Sequence, residues 1–218
     1  MRKDPLRNGY LYHICTKSIA GYIIFRSHED YSRMKEMMKY YALDNPPVKF
    51  SLYQRLMLTG NIGSFQELSS NDKRLLVDII AYCIMPTHIH LVLCQLKDDG
   101  ISLYMKNLLD SYTRYFNIKN NRKGPLWQGR FKSILIQTDE QLLHLTRYIH
   151  LNPTSDSLVD KPEDWKCSSY NEYLNNPGDA LCSLSKYIEI KPESYKTFVE
   201  TRKDYQERLS EIRHLCLE

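Results

Sequence analysis

Two apolar runs decide the fold. Leu75–Met85 (LLVDIIAYCIM) is followed by the break Pro86-Thr87 and then by His88–Leu96 (HIHLVLCQL). Both are short and largely apolar, and a proline separates them, which predicts two strands of one hairpin. The first residues of the earlier run also fit a helix. On a strand, residues two apart share a face, so His88 and His90 point one way and Ile89 points to the core. Two imidazoles on one face of a rigid strand can hold a divalent metal with positions left open. They equally fit two histidines hydrogen-bonded on a half-exposed sheet.

Upstream, Tyr10–Thr16 (YLYHICT) predicts a strand. His28–Ala42 predicts a helix, with Ser27 as N-cap and Glu29 and Asp30 in the first turn, where the helix dipole favours acids. Asn45-Pro46-Pro47 stops it, and Lys49–Leu58 is readable as a short helix. Residues 45–72 read as an insertion on a compact core. Downstream, Ile101–Lys119 carries apolar residues at helical spacing, and Phe131–Gln137 (FKSILIQ) reads as a strand. Thr138 is placed to cap a helix from Asp139 to about Leu151, with Pro153 as its stop. Ser168–Leu174 and Pro192–Leu217 look helical. The order β-α-β-β-α-β-α predicts an α+β fold. Its core is a ferredoxin-like split βαβ, a four-stranded antiparallel sheet with two helices on one face, plus an appended helix and a helical C-terminal extension. Residues 1–174 are expected to form one domain and 175–218 the extension.

The 218 residues and a hydrophobic share of 42% suffice for a sizeable core and exclude a disordered chain. Six scattered cysteines contain no C-x-x-C pair, so they offer no zinc framework. No apolar run reaches the roughly 18 residues of a membrane span, and the N-terminus lacks the apolar segment of a secretory signal. The expectation is a cytoplasmic protein that does not engage membranes.

Charge is placed unevenly. Between Leu103 and Ser133 stand Lys106, Arg114, Lys119, Arg122, Lys123, Arg130 and Lys132 against Asp110 alone. The formal net charge is +4, so the remainder of the chain is net acidic. Tyr104, Tyr112, Tyr115, Phe116, Trp127 and Phe131 are interleaved. Cations for phosphates and rings for bases suit single-stranded nucleic acid; a solvated basic helix face followed by a loop has the same composition. Trp127 fits either a stacking platform or a buried anchor of its loop.

Tyr148 and Asn152, at i and i+4 on the last core helix, share a face. Asn152 can offer an amide oxygen to a metal with a phenol beside it, although both also suit packing and helix termination. Two imidazoles and an amide oxygen leave room for further oxygen ligands, which favours Mg²⁺ or Mn²⁺ over a closed zinc site.

Taken together, these segments resemble a known family. Met85-Pro86-Thr87-His88-Ile89-His90-Leu91 is similar to the signature of the single-tyrosine HUH transposases. The runs Gly124–Lys132 (GPLWQGRFK), Tyr148–Pro153 (YIHLNP) and Asp164–Tyr170 (DWKCSSY) resemble the branch called REP-associated tyrosine transposases. The motifs span about Tyr10 to Leu174. The resemblance implies His88, His90 and Asn152 as metal ligands and Tyr148 as nucleophile. Tyr112 and Tyr115 are its rivals on the sequence, but they match the family's packed helix. It further implies nicking and rejoining of single-stranded DNA beside hairpin-forming repeats, through a 5′-phosphotyrosine. A phenol ionises near pH 10, so the nucleophile needs help from the metal or from a cation such as Arg147 or Lys132. Ligating imidazoles must be neutral, so activity is expected to fall below roughly pH 6. The family's members act as monomers or homodimers.

The chain departs from the family at Thr87, where Asn is usual, at Thr154–Ser157, and at Lys17–Gly21, where an Arg-Gly-Asn-like turn is common. These changes spare the implied catalytic set and leave the DNA target open. A hairpin-DNA-binding module without mobility, a rolling-circle replication initiator and a non-catalytic ferredoxin-like protein are the competing readings.

Overall fold

The computed structural model describes residues 5–64, 67–68, 75–175, 177, 180–183 and 186–201. Four strands, β1 (Leu11–Lys17), β2 (Val77–Ile84), β3 (His88–Gln95) and β4 (Lys132–Ile136), form one sheet in the order β2-β3-β1-β4. Every neighbouring pair is antiparallel. This is the split βαβ order predicted above.

One face is covered by α1 (His28–Tyr41) and α3 (Gly100–Lys119). Ser27 caps α1 with a full capping box, its hydroxyl accepting from the Asp30 N–H while the Asp30 carboxylate accepts from the Ser27 N–H. Met34, Met37 and Met38 of α1 and Met105, Leu108 and Tyr112 of α3 bury against Ile89, Leu91 and Leu93 of β3. At the start of α3 only glycine fits, because a Cβ on Gly100 would collide with the Leu76 carbonyl oxygen. The segment read as an insertion contributes α2 (Phe50–Leu58), whose Phe50 and Tyr53 pack on Tyr40 of α1.

The alternate residues of β3, His88, His90, Val92 and Cys94, turn to the opposite face. That face is covered by α4 (Asp139–Ser155), α5 (Tyr170–Asn175) and α6 (Pro192–Glu200). In β2 a bulge between Ile79 and Ala81 resets the alternation, so Ile79 packs on the α1 side while Ile80 and Ala81 pack on the α4 side. The sheet is therefore buried on both faces.

Two readings need correction, and a third extends past the described residues. Leu75 does not begin a helix: it bridges Leu43, and the Leu76 N–H donates to the Ala42 carbonyl. Pro153 does not end α4. The helix continues to Ser155, because a proline in the last turn costs only one backbone hydrogen bond and the following turns close through Asp156 N–H to Asn152 O and Leu158 N–H to Pro153 O. The C-terminal helix ends at Glu200 among the described residues, and its expected continuation to Leu217 lies outside them.

The segment Trp165–Tyr170 runs along the outer edge of β2. The Ile84 N–H donates to the Cys167 carbonyl and the Ser169 N–H to the Tyr82 carbonyl, while the Trp165 indole N–H reaches the Ile84 carbonyl. The Gly124–Phe131 loop lies against the end of β1 instead, with Ile19 N–H to Leu126 O and Gln128 N–H to Lys17 O.

Candidate active site

The alternation of β3 puts both histidines on the α4 face. His90 is fully buried and His88 partly so. Their rings stand edge to face with centroids 4.9 Å apart. Helix α4 lays Tyr148 over them, its ring 5.8 Å from that of His90 and nearly perpendicular to it. Asn152 is buried one turn further along the same helix face. The strand pair and the helix tyrosine, far apart in sequence, thus converge on one site.

Each histidine is oriented through Nδ1. The Thr87 hydroxyl lies 3.0 Å from His88 Nδ1, and His13 Nε2 lies 3.0 Å from His90 Nδ1. His90 Nε2 is buried without a hydrogen-bond partner among the described residues. A buried polar nitrogen left so is costly, and a cation would satisfy it. Burial first, then the neighbouring charges of His13, His88 and Lys17, carry His90 well below the usual imidazole range. It therefore stays neutral, as ligation requires, to lower pH than the value near 6 expected of an ordinary imidazole. No three His, Cys, Asp or Glu side chains among the described residues could hold a metal ion. Two imidazoles and an amide oxygen, open to further oxygen ligands, are a donor set that would suit a hard divalent ion.

The rival tyrosines lie elsewhere. Tyr112 is buried in the α1–α3 layer, where its hydroxyl donates to the Ile24 carbonyl; the Tyr115 hydroxyl donates to Asp30. Burial raises both phenols above their usual range.

The predicted DNA-contacting residues separate into two groups. Lys119 binds Asp30 at 2.8 Å and Glu29 at 2.9 Å, tying α3 to the start of α1. Arg122 donates to Asn117 and to the Gly124 and Pro125 carbonyls, fixing the loop. Trp127 is half-buried, with its indole N–H on the Leu109 carbonyl and its ring 6.1 Å from Tyr112. These three are built into the scaffold. Lys106, Arg114, Lys123, Arg130 and Lys132 are exposed. Arg130 and Lys132 join Lys17 in lining a cleft of about 350 Å³ floored by Cys15 and Thr16. Cys15 is the cross-strand partner of both His90 and Lys132, and Lys17 that of His88, so this basic cleft borders the histidine pair. Arg147 is directed away from it, donating to the Thr201 carbonyl and stacking over Phe198 at 4.9 Å.

Sequence reasoning missed His13 and His150. His13 lies in a strand recognisable by its pattern, but only the β1–β3 register, which sets it against Val92, puts it beside the pair. His150 sits between the Tyr195 hydroxyl on Nδ1 and the Ser169 hydroxyl on Nε2, both at 2.7 Å. It joins α4 to α6 and to the β2 edge segment.

Comparison with known proteins finds relatives of the chain and of its fold. Residues 55–152 match the family described as Transposase IS200 like. A curated Haemophilus influenzae protein, provisionally named a REP-associated tyrosine transposase, is 32% identical over 105 residues, covering 43% of this chain and 59% of its own length. The chain thus spans about three fifths of that relative. A solved structure described as a REP-associated tyrosine transposase bound to a REP hairpin shares the fold, with a TM-score of 0.55 and 16% identity over 87% of this chain and 98% of that one.

Proposed function

We propose, from its similarity to the IS200-like transposases over residues 55–152, that the chain nicks and rejoins single-stranded DNA through a tyrosine-linked intermediate, at hairpin-forming repeats. The observation that carries this reading is the approach of the Tyr148 ring to His90, whose Nε2 lacks a partner among the described residues. His88, His90 and Asn152 are the residues that would hold the ion. Mg²⁺ or Mn²⁺ bound there would act as a Lewis acid on the scissile phosphate.

Tyr148 is the nucleophile in this scheme. Its oxygen bonds to phosphorus and the bond from phosphorus to the 3′ oxygen breaks. The electron pair goes to that oxygen, which takes up the proton the phenol gives up. The products are a 5′-phosphotyrosine and a free 3′-OH. The phosphodiester energy stays in the new bond, so an incoming 3′-OH reverses the step and joins strands. Lys17, Arg130 and Lys132 in the bordering cleft hold the flanking phosphates. Lys106, Arg114 and Lys123 extend the basic surface. Lys119, Arg122 and Trp127 shape it from within the scaffold. The hairpin preference is supported by the REP hairpin bound to the solved protein that shares the fold. Residues 1–174 form the catalytic unit in this scheme, working as a monomer or homodimer.

The test is a labelled single strand carrying a palindromic hairpin, incubated with the full chain and Mn²⁺ and run on a denaturing gel. Wild type is expected to give a covalent adduct that EDTA abolishes; Tyr148→Phe is expected to give none. An adduct with Tyr148→Phe would remove Tyr148 from the role. A wild-type protein that retains the hairpin without any adduct would make the chain a binding module.

A further inference from the structure

His13 belongs to no motif read in the sequence, and the chemistry above does not use it. It is fully buried on β1, on the same face as His90, with Tyr12 and Ile14 turned to the other face. A leucine would fill such a position at no polar cost. Instead His13 Nε2 lies 3.0 Å from His90 Nδ1, the two rings are stacked at 21°, and the Tyr148 ring stands edge-on 6.5 Å away.

Between two neutral imidazoles the bond holds one hydrogen, and its owner fixes what His90 can do. If His13 donates, the proton of His90 sits on Nε2. That nitrogen then has no lone pair, and its N–H points into a buried position where no acceptor lies among the described residues. If His90 donates from Nδ1, its Nε2 presents a lone pair. We infer that His13 is a positioning residue: as acceptor, it holds His90 in the Nδ1–H tautomer with Nε2 directed at the cation site. The inference rests on the reading of His90 as a ligand. It is the arrangement in which the partner of a ligating histidine sets its tautomer and ring orientation. Thr87 stands in the same relation to His88.

Two measurements on the full chain test it. In metal-free, ¹⁵N-labelled protein, two-bond ¹H–¹⁵N correlations of the imidazole rings report the tautomer directly. His90 is expected as Nδ1–H in wild type and shifted towards Nε2–H in His13→Leu. In calorimetric titration with Mn²⁺ alone, His13→Leu is expected to bind about 10–100-fold more weakly. His13→Gln, whose amide oxygen can accept the same hydrogen, is expected to restore both the tautomer and the affinity. A merely space-filling His13 would give the opposite order, with leucine tolerated at least as well as glutamine. Wild-type His90 found as Nε2–H overturns this inference and leaves the metal reading standing. Failure of the wild type to bind Mn²⁺ overturns the metal reading and this inference with it. Should His13→Leu not fold, the wild-type spectrum and His13→Gln still decide the matter.

Discussion

The two faces of the sheet are built from opposite materials. Towards α1 and α3 the contacts are mostly Met, Leu, Ile and ring on ring, and the buried Asp30 takes Lys119, Tyr115 and two backbone N–H groups, although the Tyr104 hydroxyl has no hydrogen-bond partner among the described residues. Towards α4, α5 and α6 the interior holds His13, His90, Arg147, His150, Asn152 and Ser169 among its apolar residues. Burying such groups costs stability unless each finds a partner, and His90 Nε2 has none among the described residues. A protein selected for stability alone has little reason to fill one interior this way when the other shows the apolar solution. The first face is mostly apolar; the second gives up some apolar packing to hold polar side chains in fixed positions.

Leu108→Ala should show the largest effect on stability. It opens a cavity under the fully buried α3 face and is expected to cost about 2–5 kcal/mol in urea unfolding. Mn²⁺ affinity should be unchanged; a folded Leu108→Ala protein that no longer binds the ion would show that the faces are not separable. His150→Leu is next, with about 1–3 kcal/mol lost because the Tyr195 and Ser169 hydroxyls lose their shared partner. This variant also sharpens the pH behaviour. Burial lowers His150 to about 3 in the folded chain, from an ordinary 6.5. Below pH 6.5 the unfolded chain takes up a proton that the folded one refuses, so wild-type stability falls as the pH drops towards 3. His150→Leu should lose this contribution while His90, lowered likewise, keeps its own. Equal pH slopes for the two proteins between about pH 7 and 4 would contradict the assignment. The smallest effect is expected at the rim. Arg130→Gln should leave stability unchanged and weaken single-strand binding, reducing the slope of log affinity against log salt by about 0.7; an unchanged slope would take Arg130 off the DNA path.

The same contrast explains what could be read from the chain. The apolar face was legible because period-2 and period-3.6 patterns are one-dimensional. The strands, the Ser27 cap and the helix over Gly100–Lys119 all fell within a residue or two of expectation. The pair His88 and His90 and the turn from Tyr148 to Asn152 were legible for the same reason, since each lies within one element. What pattern cannot supply is register between strands far apart in sequence, and His13 depends on it entirely. Nor does net charge tell an unpaired cation from a paired one: Lys106 and Lys119 look alike in the sequence and both are exposed, yet Lys119 is held by Asp30 and Glu29 while Lys106 has no ion pair among the described residues. Trp127 went the same way, its indole N–H spent on a backbone carbonyl. At Pro153 a sound local rule met a helix that needed only one more turn.

The strip of backbone along β2 limits how two copies could meet. Cys167 and Ser169 take the outer N–H groups of Ile84 and Tyr82 and the Tyr82 carbonyl, and the Trp165 indole takes the Ile84 carbonyl, so that stretch of the rim is closed to a visiting strand. The far rim at β4 is five residues long and begun by an exposed lysine, a gatekeeper that discourages unplanned β-addition there.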